Sequence, residues 1–251
     1  MIKRRVRTPL MTHTRYEERR QEIQVRLTAQ RILSAHLKPK AAEVFWADID
    51  LDLTEAHLHQ LDLTNCRVRA AQFSGAKFAV NAKFDGAEFA EDVSFIAAKF
   101  TGGATFHGAT FAGERAWFVG ANFAGHVQFG EAEFAGDTMF SGAKFAGGEF
   151  IRAVFSGTKF AGGATFVRAE FAGDATFIRA EFAGDAKFDG ATFAGNMEFG
   201  GNAAPIKAGI LEEMELGEVF GGREFSEIFG DMDFGEKRGV SPGKVRWDYD
   251  V

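Results

Sequence analysis

From residue 73 onward the large apolar residues fall at fixed steps. Phenylalanine occupies positions 73, 78, 84, 89, 95, 100, 106, 111, 118, 123, 129, 134, 140, 145, 150, 155, 160, 166, 171, 177, 182, 188, 193 and 199. The gaps alternate between five and six, so the paired period is eleven. A short unit reads IRAEF, DGAEF or HGATF, and a longer one reads AGDATF or AGGATF. Two residues before most of these rings sits alanine, as at Ala71, Ala76, Ala82, Ala87 and Ala98, with Val93, Val127, Thr138, Gly148 and Met197 among the exceptions. Upstream, Leu53, Leu58, Leu63 and Val68 keep the same frame, which makes 28 consecutive units.

A five/six alternation walks around a 3.6-residue helix and forms no stripe on it, so helix is excluded. On an extended segment, positions i and i−2 share a face. A small residue beside a large one on one inward face suits a narrow closed coil. Glycine after the Phe-Ala step, followed by Asp, Gly or Asn, supplies corners that accept positive φ. No proline lies between Pro39 and Pro205, as stacked coils need each backbone N–H for a neighbouring coil.

Units such as AHLHQ, LDLTN, AQFSG and AKFAV resemble those of the pentapeptide-repeat family, which read A-(D/N)-L-x-x around a central Leu or Phe. The resemblance covers residues 51–200. It implies an all-β fold, a right-handed, four-sided parallel β-helix with the central residue inside. The segment FWADIDLDLT also looks like the lead-in to the repeats of larger bacterial members, some of which carry membrane helices upstream. The extra residue in every second unit departs from the family pattern and reads as a widened corner. Four sides per coil give about seven coils, a stack about 34 Å long at ~4.8 Å per coil. That spacing suits columns of stacked rings.

Two irregularities stand out. The segment AGGEF (146–150) is short where a long unit is due, and SGTKF (156–160) is an extra short unit. The wide corners are therefore expected to shift by one side of the square between Phe140 and Phe166. The unit AGERAWF (112–118) is longer still and is expected to push Trp117 outward.

The ends differ from the body. Residues 1–13 form a basic head expected to be flexible, and residues 14–38 read as a capping helix. Thr14 and Glu17 fit a capping box, Pro39 stops the helix, and Ile23, Leu27, Leu33 and Leu37 share an apolar side. Residues 39–50 connect it to the repeats, 201–235 read as a C-terminal cap with a short helix from Ile210 to Phe220, and 236–251 as a loose tail. Phe220, Phe225, Phe229 and Phe234 fall out of frame in this C-terminal stretch; they read first as part of the cap, and as the candidate partner surface in the alternative, subunit contact in a homodimer.

Charge follows the same division. Residues 1–40 carry 11 Lys/Arg against 3 Glu, residues 70–204 carry 10 against 15 acids, and residues 205–251 carry 6 against 11. No run of roughly 18 apolar residues exists, so no transmembrane helix is expected. The basic start lacks an apolar stretch after it, and Cys66 has no partner for an internal disulfide. Both features fit a cytoplasmic protein.

The sequence offers no catalytic constellation, no metal set and no cofactor motif. His57 and His59 flank Leu58 and point outward without a nearby cysteine. Cys66 takes the small inward position of its unit, a packing role. The pairs Gly102-Gly103 and Gly162-Gly163 lack a phosphate-loop context and read as corners. Glu170 and Glu181, like Asp174 and Asp185, repeat at eleven, half a coil, so each pair lies on opposite sides. The reading is a non-catalytic scaffold or interaction module with a protein partner and no direct nucleic-acid binding. The family resemblance adds an alternative, a DNA-mimicking protein that binds and protects topoisomerases. Yet 34 Å of duplex holds roughly 20 negative charges, against a net −5 for residues 70–204. A third reading is a membrane-proximal regulator whose residues 1–13 touch anionic lipid.

Overall fold

The computed structural model describes residues 9–146, 152–195 and 197–198. Every strand from Leu51–Asp52 to Met197–Glu198 is only two or three residues long, and every pairing is parallel. Leu51–Asp52 and His57–His59 bond to the strand three elements later and the strands after them to the one four later, which sorts them into four sheets of seven, six, six and seven strands. The chain is therefore a four-sided parallel β-solenoid of about six turns, with a seventh strand on two faces.

Each face carries one column of large residues inward. Face 1 holds Leu53, Phe73, Phe95, Phe118, Phe140, Phe166 and Phe188; face 2 holds Leu58, Phe78, Phe100, Phe123, Phe145, Phe171 and Phe193. Face 3 holds Leu63, Phe84, Phe106, Phe129, Phe155 and Phe177; face 4 holds Val68, Phe89, Phe111, Phe134, Phe160 and Phe182. All are buried except Leu53, which is half-buried against the core. Phe150 and Phe199 lie outside the described residues.

Within a column the rings stack nearly parallel, from 4.3 Å between Phe78 and Phe100 to 5.2 Å between Phe89 and Phe111. Rings of different columns meet edge to face, as for Phe106 and Phe118 at 5.8 Å and 90°. Both arrangements place ring edges against ring faces or offset faces, where the quadrupoles attract. Beside each ring column runs the small column at i−2, for example Ala76, Ala98, Ala121, Ala143 and Ala169 on face 2. Larger side chains there would leave no room for the rings.

The expected shift of the wide corners does not occur. From Phe78 onward the wide corners stay between faces 2 and 3 and between faces 4 and 1. The Arg69–Glu91 pair in neighbouring coils is 22 residues apart, but Glu133 and Lys159, also in neighbouring coils, are 26 apart. The extra residues fall in the single corner between Phe145 on face 2 and Phe155 on face 3. The reason is the hydrogen-bond ladder. Strand Lys144–Phe145 bonds to its neighbours on both sides in register, and so does Arg152–Val154. Displacing one coil by a side would break every such pairing above it, whereas a longer corner breaks none.

The long unit before Phe118 sits at a corner between faces 4 and 1. Trp117 there faces outward and is half-buried, with the Arg115 guanidinium 5.5 Å from its ring centre.

The helix runs Pro9–His36, starting five residues before the expected Thr14. Proline is well suited to a first helical turn, and Thr14 lies inside the helix rather than at its start. Leu37 follows the helix, is fully buried, and accepts a hydrogen bond from Arg67 N at 2.8 Å. His36 stacks on Trp46 at 4.1 Å, fixing the connector beneath.

Candidate interaction surface

A parallel solenoid exposes unpaired backbone groups on its first coil. Here the helix meets them with polar side chains at four-residue spacing. Arg26 donates to His57 O at 3.1 Å, Gln30 Nε2 donates to His59 O at 2.6 Å, and Ser34 donates to Asp62 O. Gln30 Oε1 also accepts from His59 N at 3.0 Å. Spacing of four places all three on one side of the helix. The apolar stripe was legible in the sequence, but these polar residues were not, because their partners are backbone atoms with no sequence signature.

The outward side chains form ladders along each face. Several charges pair across neighbouring coils: Lys144 meets Glu170 at 2.9 Å, Lys159 meets Glu133 at 2.7 Å, Arg115 meets Asp92 at 3.6 Å, and Arg69 joins Asp50 and Glu91. All are exposed, so each contributes little to stability. Face 2 begins differently. Its outward residues run His57, Lys77, Lys99, with Lys77 and Lys99 directly in register.

Between the helix and that part of face 2 lies a cleft of about 450 Å³. Its apolar floor includes Ile23, Leu58 and Ala79, and its basic rim includes Arg19, Arg26 and Lys77.

The residues singled out from sequence are dispersed. His57 and His59 sit on the outward side of the first coil, and no group of three or more His, Cys, Asp or Glu able to hold a metal exists among the described residues. Glu170 lies on face 2 and Glu181 on face 4, on opposite sides. Cys66 is buried in the small column of face 4, next to Ser34, and burial pushes its thiol pKa up, which leaves it a poor nucleophile. Phe220, Phe225, Phe229 and Phe234 lie outside the described residues. No described helix is long and apolar enough to cross a membrane.

Comparison with known proteins agrees with this architecture. Two family models described as pentapeptide repeats match, one of nine copies over residues 73–114, 84–133 and 155–201, the other of eight copies over residues 52–89. The chain belongs to the pentapeptide-repeat family. Among solved structures it is similar to a trypsin-treated form of QnrB1, described as a plasmid-mediated fluoroquinolone resistance protein, at 15% identity and a TM-score of 0.28, covering 57% of this chain and 89% of that one. It is also similar to HetL, a pentapeptide-repeat protein involved in heterocyst differentiation regulation in the cyanobacterium Nostoc, at 15% identity and a TM-score of 0.14, covering 60% of this chain and 86% of that one. No curated protein matches the chain.

Proposed function

We propose that this protein is a non-catalytic interaction module, a rigid four-sided rod whose outward ladders contact a protein partner. One observation carries the reading: the large and small columns and the ladder hydrogen bonds consume the inward half of the described repeats, and what remains is four faces of exposed, mostly polar side chains. Such faces suit recognition by surface complementarity and offer no enclosed, desolvated site of the kind chemistry needs.

A DNA-mimicking topoisomerase protector would need a continuous acidic face. Face 2 opens with His57, Lys77 and Lys99, and face 4 alternates Arg67, Glu88, Thr110, Glu133, Lys159 and Glu181. Mixed ladders of this kind favour a protein partner over duplex mimicry. A membrane-surface role would rest on residues 1–13 and is tested by co-sedimentation with anionic liposomes.

Photo-crosslinking in cells, with benzoylphenylalanine placed at one outward position per face, tests the module reading. Recurrent capture of one protein from one face is the expected result. Four faces that all fail to capture a partner would count against it, and altered gyrase supercoiling by the purified protein would favour the duplex mimic.

A further inference from the structure

The cleft beside the helix is charged in a way that folding does not explain. Lys77 and Lys99 are register partners on neighbouring coils of face 2, and like charges placed opposite one another destabilise a sheet. Elsewhere in this solenoid such positions are matched, as with Lys144 and Glu170 or Lys159 and Glu133. Neither Lys77, which lines the cleft, nor Lys99, one coil beyond it, has an ion-pair partner among the described residues, and Arg19 on the helix is another unmatched cation at the rim. The acid lining the cleft, Glu22, is already held by Arg26 at 2.5 Å. Beneath this rim lies the apolar floor of Ile23, Leu58 and Ala79. An apolar floor under unmatched cations fits a peptide that offers aliphatic side chains and carboxylates together.

The chain carries such a segment. Residues 210–220 read ILEEMELGEVF, with Ile210, Leu211, Met214 and Leu216 interleaved with Glu212, Glu213, Glu215 and Glu218. We propose that this acidic segment docks within the same chain into the basic cleft between the helix and face 2, so that the cleft is the protein's receptor for acidic, aliphatic peptides. The proposal rests on the interaction-module reading and names the chemistry of the surface it uses.

The geometry permits it. The last described strand, Met197–Glu198, lies on face 3, one corner away from face 2. It stands four coils beyond Lys99, about 19 Å along the rod at ~4.8 Å per coil. The chain from Glu198 to Glu212 spans up to roughly 46 Å when extended. An added strength of this arrangement is its charge balance, since four glutamates would meet Arg19, Lys77 and Lys99.

Zero-length carbodiimide coupling of the full chain, read by mass spectrometry, tests this. The Lys144–Glu170 and Lys159–Glu133 pairs are built-in controls that must couple. The expected result is a link from Lys77 or Lys99 to Glu212, Glu213, Glu215 or Glu218. Its yield should fall at least fivefold in Arg19→Glu/Ile23→Asp, two exposed positions lining the cleft whose change leaves both lysine amines in place, while the control links persist. Control links without any cleft link overturn the proposal, as does a cleft link indifferent to the double substitution. A cleft link found only between isotopically distinct chains overturns the intramolecular assignment in favour of a second copy. None of these outcomes bears on whether photo-crosslinking finds a partner, so the two readings fail separately.

Discussion

The side-chain amide of Gln30 exchanges two hydrogen bonds with the backbone of His59, 2.6 Å to the carbonyl and 3.0 Å from the N–H. One glutamine thus does at His59 what a further strand would do for the first coil of face 2.

Gln30→Ala removes both bonds and leaves the His59 groups to water and to a partly covered edge. A loss of about 1–2 kcal/mol is expected, measured by urea denaturation. Amide exchange at His59 should accelerate, while exchange at Phe106, deep in the stack, follows global stability alone.

Phe106 stacks on Phe84 and on Phe129, each at 4.6 Å, and is fully buried. Phe106→Ala opens a cavity with rings above and below that cannot close it without breaking their own ladders. The expected cost is about 3–5 kcal/mol. Phe193 is the last described ring of its column, with a stacking partner on one side, Phe171. Phe193→Ala should cost clearly less in the same denaturation experiment.

Backbone positions give two opposite expectations. A Cβ on Gly136 would lie 2.2 Å from the Glu114 carbonyl oxygen of the preceding coil. Gly136→Ala must push two coils apart and is expected to leave the protein largely insoluble. Val80 holds φ at 66°, a left-handed conformation that a β-branched residue adopts at a cost. Val80→Asn should stabilise by about 1 kcal/mol, since asparagine tolerates that region, and a rise in Tm checks it.

Asp62 links the first coil to pH. Burial alone would raise its pKa, but the Thr64 hydroxyl and N–H, with Lys83 and Lys38 nearby, hold it below the usual carboxylate value of 3.8. The folded state therefore binds this proton less tightly than the unfolded chain. The resulting stability is present above the unfolded value and is lost as pH falls through the folded one. Asp62→Asn should be less stable than the parent at pH 7. Its stability should also change less between about pH 5 and pH 3, as denaturation midpoints across that range would show.

The columns were legible because folding imposes them residue by residue. A ring at five- and six-residue steps with alanine two places before it admits one inward face per unit, and Phe73 to Phe193 follow that rule. The corner between Phe145 and Phe155 was misread because residue spacing records chain length and not the side of the square reached. Only the register of Lys144 with Glu170 decides that. The helix start at Pro9 was missed because Thr14 and Glu17 form a plausible cap in sequence, and proline's fitness for a first turn competes with it. The cleft was invisible for a different reason. A spacing of 22 residues, one coil, sets Lys77 above Lys99, but nothing in the repeat says that the helix lies beside them to make a cleft.

The lengthened corner between Phe145 and Phe155 has a practical meaning. Height along this rod is metered by strands, whereas the amount of polypeptide per layer is not fixed. A corner is thus a place where sequence can be added without displacing anything stacked above it. Loops of foreign sequence grafted at that corner, or at equivalent corners one layer away, would be held at set heights on a stiff ruler, one layer, about 4.8 Å, per step.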